Sequence, residues 1–139
     1  MRFWDSSAIL PLIVPEARSE SLSSILREDP AIAVWWVTPV ECASALARLS
    51  REGRLDDAGS VTGRKRLREA AREWTEVPAL ERVRDQAMRL LRLHSLRAAD
   101  ALQLAAAIVL SEHDPATLPF VTLDDQLARA AELEGFSLL

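Results

Sequence analysis

The sequence predicts an α/β fold with a central, mostly parallel sheet flanked by helices, on three observations. Short strand candidates at residues 2–4, 32–37, 74–77, 119–123 and 136–139 alternate with stretches of helical length, and such alternation calls for crossover connections between parallel strands. The segment Ile32 to Val37, IAVWWV, is apolar throughout, as in a strand covered on both faces. Only four glycines occur in 139 residues, too few for a fold made of strands and tight turns.

Arg2 to Trp4 reads as the first strand, Ser6 to Leu12 as a helical turn ended by Pro15, and Glu16 to Arg27 as an amphipathic helix with Leu22, Ile25 and Leu26 on one face. Asp29-Pro30 breaks the chain before the strand at Ile32 to Val37. The next helix carries explicit start signals: Thr38 as N-cap, Pro39 at the first helical position, and Glu41 completing a capping box. It runs to about Glu52 and stops at Gly53. Asp56 to Arg72 is a further helix, weakly interrupted by Gly59 and Gly63, and Trp74 to Val77 is a strand closed by Pro78. Leu80 to Leu93 and Arg97 to Glu112 are helices, the second so rich in alanine and leucine that a central, buried position is expected. Pro119 to Leu123 is a strand, Asp124 to Glu134 a helix stopped by Gly135, and Phe136 to Leu139 a short last strand. No repeat, linker or low-complexity segment marks a boundary, so residues 1–139 are expected to form one domain.

Composition narrows the class. Apolar residues make up 49% and charged residues 27% of the chain, the balance of a globular protein. The single cysteine, Cys42, excludes an intramolecular disulfide and a thiolate zinc site, and fits a reducing compartment. The first residues lack the unbroken apolar stretch of a signal peptide, and the longest apolar run, Ala101 to Leu110, is too short for a bilayer. A cytoplasmic location is therefore expected. The net charge of −4 is unevenly spread: residues 48–97 hold 13 basic and 8 acidic side chains, the remainder 4 and 13. The basic middle can face a polyanion locally, and solvated helix faces are the competing reading.

Four acids stand out: Asp5, Glu41, Asp100 and Asp124. Each follows a strand or opens a helix, and each taken alone has a structural explanation as a cap or as a charge favoured by the helix dipole. In a parallel sheet these positions share one rim, outside the carboxyl ends of the strands, where ligands bind. Carboxylates gathered there repel one another, and protonation or a bound cation is the usual resolution. An all-oxygen set without cysteine or suitably placed histidine favours a hard ion, Mg²⁺ or Mn²⁺, over zinc. Ser6 and Thr122 are positioned to donate hydrogen bonds to these carboxylates or to water, with capping as the competing role.

Four stretches occur in a telling order: FWDSSAIL with Asp5, TPVECASALARL with Glu41, LRAADALQLAAA with Asp100, and FVTLDDQLARAAELEGF with Asp124. Together they span residues 3 to 136, and with them the sequence resembles the PIN-domain ribonucleases, specifically the VapC toxins of bacterial and archaeal type II toxin-antitoxin pairs. The Thr-x-Asp-x-x-Leu spacing assigns the fourth acid to Asp124 and not to its neighbour Asp125. Gln103 stands where many relatives have histidine.

The resemblance implies a PIN-like three-layer α/β sandwich and a metal-dependent endoribonuclease. Mg²⁺ or Mn²⁺ would be held by Asp5 and Asp100, with Glu41 and Asp124 as further direct or water-mediated ligands, and hydrolysis would leave a 5'-phosphate and a 3'-hydroxyl. It also implies a cognate VapB-type antitoxin whose C-terminal tail inserts an arginine near the acids, an RNA substrate, a homodimer and no membrane. RNA contact would fall to Arg64, Lys65, Arg66, Arg68 and Arg72. Trp35, Trp36 and Trp74 are candidates to stack on unpaired bases, core packing being the stronger reading for at least one of Trp35 and Trp36. His94 and His113 read as helix-end residues, and Cys42 as a small buried side chain. Two other readings compete: a phosphohydrolase with Asp5 as covalent nucleophile, which wants a second acid where Ser7 stands, and a receiver-like signalling domain, which wants a lysine after a late strand, whereas the only lysine is Lys65.

Overall fold

The computed structural model describes every residue from Met1 to Leu139. Four short strands, β1 (Arg2–Trp4), β2 (Ile32–Trp35), β3 (Thr75–Val77) and β4 (Phe120–Val121), pair in the spatial order β3-β2-β1-β4, every pair parallel. The connections carry seven helices: α1 (Ser6–Ile13), α2 (Ser19–Glu28), α3 (Thr38–Arg51), α4 (Asp57–Ala71), α5 (Glu81–Leu93), α6 (Ala98–Leu110) and α7 (Asp125–Leu133).

Alternation along the strands decides which helices lie on which face. Phe3, Ala33, Trp35, Val77 and Phe120 join a core with residues of α5, α6 and α7, whereas Trp4, Ile32, Val34 and Val121 join a second core with α1 to α4. All four residues of β2 are buried, as its uninterrupted apolar run requires. The result is a three-layer sandwich. In α6, Ala101, Ala105, Ala106 and Ala107 are buried, and their small side chains let the helix lie close to the sheet and to α5. Phe3 stacks on Phe120 at 5.2 Å, and Phe136 meets Phe120 edge-on at 5.5 Å.

Several local expectations change. β2 stops at Trp35, because Trp36 and Val37 turn into α3. The capping box does not form: Val37 occupies the N-cap position, and Thr38 lies buried in the first turn against Gln103. β4 is two residues long, since Leu123 already gives its N–H to the Ser7 hydroxyl. The final segment makes a single parallel bridge, Leu138 to Phe120, and no strand. Gly59 and Gly63 do not interrupt α4. A Cβ at Gly63 would lie 3.1 Å from the Leu46 side chain, so this glycine lets α4 approach α3. Gly53, at φ +70°, follows the end of α3 as expected. His94 ends α5, but its Nε2 pairs with Glu134 at 2.7 Å; Arg89 engages the same carboxylate, so the three tie α5 to the residue after α7. No helix is long and apolar enough to cross a membrane.

The aromatic stack sets the first prediction. Phe120→Ala should cost about 3–5 kcal/mol in urea unfolding, the range for emptying a buried aromatic position. An unchanged m-value would assign the loss to packing, and a cost below about 1 kcal/mol would contradict the central role given to this ring.

Candidate active site

Parallel pairing brings every strand's carboxyl end to the same rim. The chain steps from β1 to β2 to β3 in one direction and then places β4 on the other side of β1, so the switch in direction falls between β1 and β4. Trp4 pairs with Val121, and the next residue, Asp5, gives its N–H to the Val121 carbonyl at 3.1 Å. Asp5 and Thr122 therefore leave the sheet side by side.

Asp5 is 3% exposed and stands at the N-cap position of α1. Its Oδ1 accepts from the Ser7 hydroxyl at 2.8 Å. Ser7 Oγ in turn accepts the Leu123 N–H at 2.8 Å and lies 3.4 Å from the Thr122 hydroxyl. Glu41 comes from the first turn of α3, and its Oε2 accepts from the amide of Gln103. Asp100 comes from the first turn of α6. Asp124 does cap α7, its Oδ1 accepting the Leu127 N–H at 2.8 Å, while its own N–H donates to Thr122 Oγ1 at 3.0 Å.

All four acids line one cleft of about 710 Å³, together with Ser6, Ser7, Glu16 and Arg48. Its electrostatics show the cost of that convergence. Burial pushes Asp5 up to about 6, against the opposing hydrogen bonds from Ser7, Thr122 and the backbone. Burial also raises Glu41, with the charge of Asp100 adding to the shift and hydrogen bonds from Gln103 and Ser6 opposing it. Asp100 is raised by burial and by the charge of Asp124, and held back by Arg97. The four helices that begin here turn the positive ends of their dipoles toward the rim, which offsets part of the repulsion and suits an anionic ligand.

The donor set is oxygen only, which suits a hard divalent cation. No three acidic, histidine or cysteine side chains are grouped closely enough to enclose an ion by themselves. Mg²⁺ keeps several waters and so calls for fewer direct protein ligands than the closed cage of a structural zinc.

The four expected acids meet in this cleft, and their supporting groups come only in part from the expected residues. Ser6 acts on Glu41 and Thr122 on Asp5, each holding the carboxylate's pKa down. Ser7 and Gln103, the direct partners of Asp5 and Glu41, were not among the expected site residues. The doubled hydroxyl of Asp5-Ser6-Ser7 and the lone polar residue in LRAADALQLAAA were the available signals.

Arg64, Lys65, Arg66, Arg68 and Arg72 are exposed on or just beyond α4, and none lines the cleft. Arg66 reaches the Ile13 carbonyl at 3.3 Å and Lys65 faces Glu69. The basic groups at the acids are Arg48, which lines the cleft, and Arg97, whose charge acts on Asp100. Trp35 belongs to the core, Trp74 packs half-buried beside the other core, and Trp36 is 55% exposed just past β2. His94 and His113 lie outside the cleft. Cys42 is fully buried, and burial together with the nearby Glu41 and Asp5 pushes its thiol up to about 12, which removes it as a nucleophile. The absence of an acid at residue 7 and of a lysine in the cleft leaves the phosphohydrolase and receiver-like readings without their required groups.

Comparison with known proteins agrees with this architecture. The structure is similar to that of PAE2754 from Pyrobaculum aerophilum, with 20% identity and a TM-score of 0.68 over 99% of this chain and 87% of that one. It is similar to FitAcB from Neisseria gonorrhoeae, with 18% identity and a TM-score of 0.68 over 100% and 96% of the two chains. At such identities the likeness concerns the fold. No curated protein sequence matches the chain. The model of the PIN domain matches residues 2–133, nearly the whole length. PIN domains are generally nucleases that use divalent metal ions. The chain belongs to the PIN-domain family.

Proposed function

We propose that this chain, as a single PIN domain over residues 1–139, is a metal-dependent endoribonuclease of the VapC type, the toxin of a type II toxin-antitoxin pair. The observation that carries the reading is the convergence of Asp5, Glu41, Asp100 and Asp124 on one cleft at the carboxyl ends of parallel strands. Four carboxylates facing an RNA phosphodiester would repel it, so catalysis there needs a cation to neutralise them. Asp5 and Asp100 would hold Mg²⁺ or Mn²⁺, with Glu41 and Asp124 as direct or water-mediated supports. When bound, the ion supplies Lewis acidity at the phosphate and lowers the pKa of an attacking water.

The chain's own groups do the remaining work. Ser7 and Thr122 orient Asp5, and Gln103 and Ser6 orient Glu41. The helix N-termini and Arg48 favour the approach of a phosphate. Exposed Trp36, with Val40 of the cleft wall close by in sequence, offers a stacking surface for an unpaired base. The basic face of α4, bearing Arg64, Lys65, Arg66, Arg68 and Arg72, lies outside the cleft and would contact RNA beyond the scissile phosphate. The same carboxylates suit an arginine from a VapB-type antitoxin, which would occupy the ion's place and silence the enzyme. A homodimer and a cytoplasmic location complete the reading.

Structured RNA incubated with purified protein should be cut in Mg²⁺ or Mn²⁺ and left intact in chelator. Asp100→Asn should reduce cleavage at least about 100-fold, beyond what loss of an outer hydrogen bond costs. Cleavage that persists in chelator would overturn the metal mechanism. Expressed alone in a heterologous host, the wild-type chain should arrest growth and the Asp100→Asn variant should not; normal growth at confirmed expression would count against a toxin.

Stability should oppose function at Asp5. Folding raises its pKa from 3.8 to about 6, so across that interval the native state keeps a proton that the unfolded chain has released. Stability therefore falls as pH rises through this window and stays lowered above it. Asp5→Asn should remove cleavage yet gain up to about 3 kcal/mol near pH 7.5, with no gain below pH of about 3.8, as read by urea titration. An equal gain at both pH values would refute the electrostatic account.

A further inference from the structure

We propose that Gln103 is a positioning residue for the cation site: its amide, anchored on Thr38, donates the hydrogen bond that holds the Glu41 carboxylate in the cleft. The proposal rests on the reading of Glu41 as part of the ion-holding set.

Gln103 is 1% exposed, and it is the only polar side chain on the buried face of α6, among Ala101, Leu104 and Ala105. Packing alone would be met there by an apolar residue of the same length, and a buried amide is costly unless it is paired. Its pairing is directional. Nε2 donates to Glu41 Oε2 and to the Thr38 hydroxyl at 3.1 Å, and Thr38 Oγ1 lies 3.4 Å from Oε1. With the amide reversed, its carbonyl oxygen would face a carboxylate that can only accept, so the charge on Glu41 fixes which end points at it. Thr38 is fully buried, so the anchor itself has no alternative partner in water.

The contact joins two layers. Thr38 and Glu41 belong to α3, on one face of the sheet, and Gln103 to α6, on the other, separated by more than 60 residues of sequence. Glu41 has three side-chain torsions and faces the repulsion of Asp100, so without a donor behind it the carboxylate is free to swing out to solvent. A charge-assisted bond from a buried, doubly anchored amide opposes that swing. Gln103 touches neither substrate nor ion in this account. It acts through Glu41.

The test is a double-mutant cycle read by Mn²⁺ affinity, measured from the free-ion paramagnetic resonance signal, with RNA cleavage alongside. Gln103→Met keeps length and volume but removes the donor; it should weaken Mn²⁺ binding and lower kcat/KM about 10- to 100-fold, with the thermal transition little changed. Gln103→His, which retains a ring N–H, should recover most of the affinity. In a Glu41→Gln background, Gln103→Met should add no further loss, because the bond it removes no longer holds a ligand. Should the methionine variant fail to fold, Thr38→Val, which frees the amide from its anchor, takes its place in the cycle.

Wild-type Mn²⁺ affinity in Gln103→Met, with affinity lost in Glu41→Gln, would overturn the positioning role while leaving Glu41 at the ion. An equal loss from Gln103→Met in both backgrounds would mean a general structural role and overturn it too. Unchanged affinity in Glu41→Gln would remove Glu41 from the ion, and the inference with it.

Discussion

Parallel pairing is the constraint on which this molecule is built. Because every strand of the sheet runs the same way, every strand ends, and the helices α1, α3 and α7 that follow strands begin, on one rim. Acids placed just after a strand or in the first turn of a helix are thereby delivered to a common cleft from positions nearly 120 residues apart. Three of them occupy positions that also serve routine helix chemistry, and in Asp124 the two roles coexist: it caps α7 and lines the cleft.

That concentration of negative charge works against folding, and the structure shows what offsets it. Burial raises Asp5, Glu41 and Asp100, and repulsion adds to it at Glu41 and Asp100, so the fold carries an electrostatic load at neutral pH. Against it stand the helix dipoles, the hydroxyls of Ser7 and Thr122, the amide of Gln103 and the charge of Arg97. Apart from Arg97, these supports are neutral groups. Supports of that kind stabilise carboxylates without occupying the place a cation would take.

The two cores supply the rigidity that such a site needs. Alternate residues of four very short strands point into opposite cores, and the aromatic contacts of Phe120 join strand packing to the chain's C-terminal segment. At the rim the layers are tied again, by Thr38 and Glu41 with Gln103. Within one layer, at the C-terminal ends of α5 and α7, His94, Arg89 and Glu134 tie helix to helix. The histidine expected to serve only a helix end is thus a link between helices.

The order of strands and helices, the burial of β2 and α6, and the four acids were legible in the sequence because they are written in local chemistry: apolar runs, helix start and stop residues, and carboxylates at their junctions. The lengths of the last two strands were not, since the Ser7 hydroxyl, more than 100 residues away, takes the Leu123 N–H that would have continued β4. The expected capping box at Thr38 and Glu41 failed for a related reason. Gln103 engages both side chains across the sheet, Val37 takes the N-cap position, and Glu41 lines the cleft instead of capping α3. Sequence by itself determined which residues carry charge and where elements change, because propensity and patterning act over a few residues. Only the tertiary structure decided which hydroxyl and which amide stand behind each carboxylate, because those contacts are made by segments that meet only when parallel strands close the sheet.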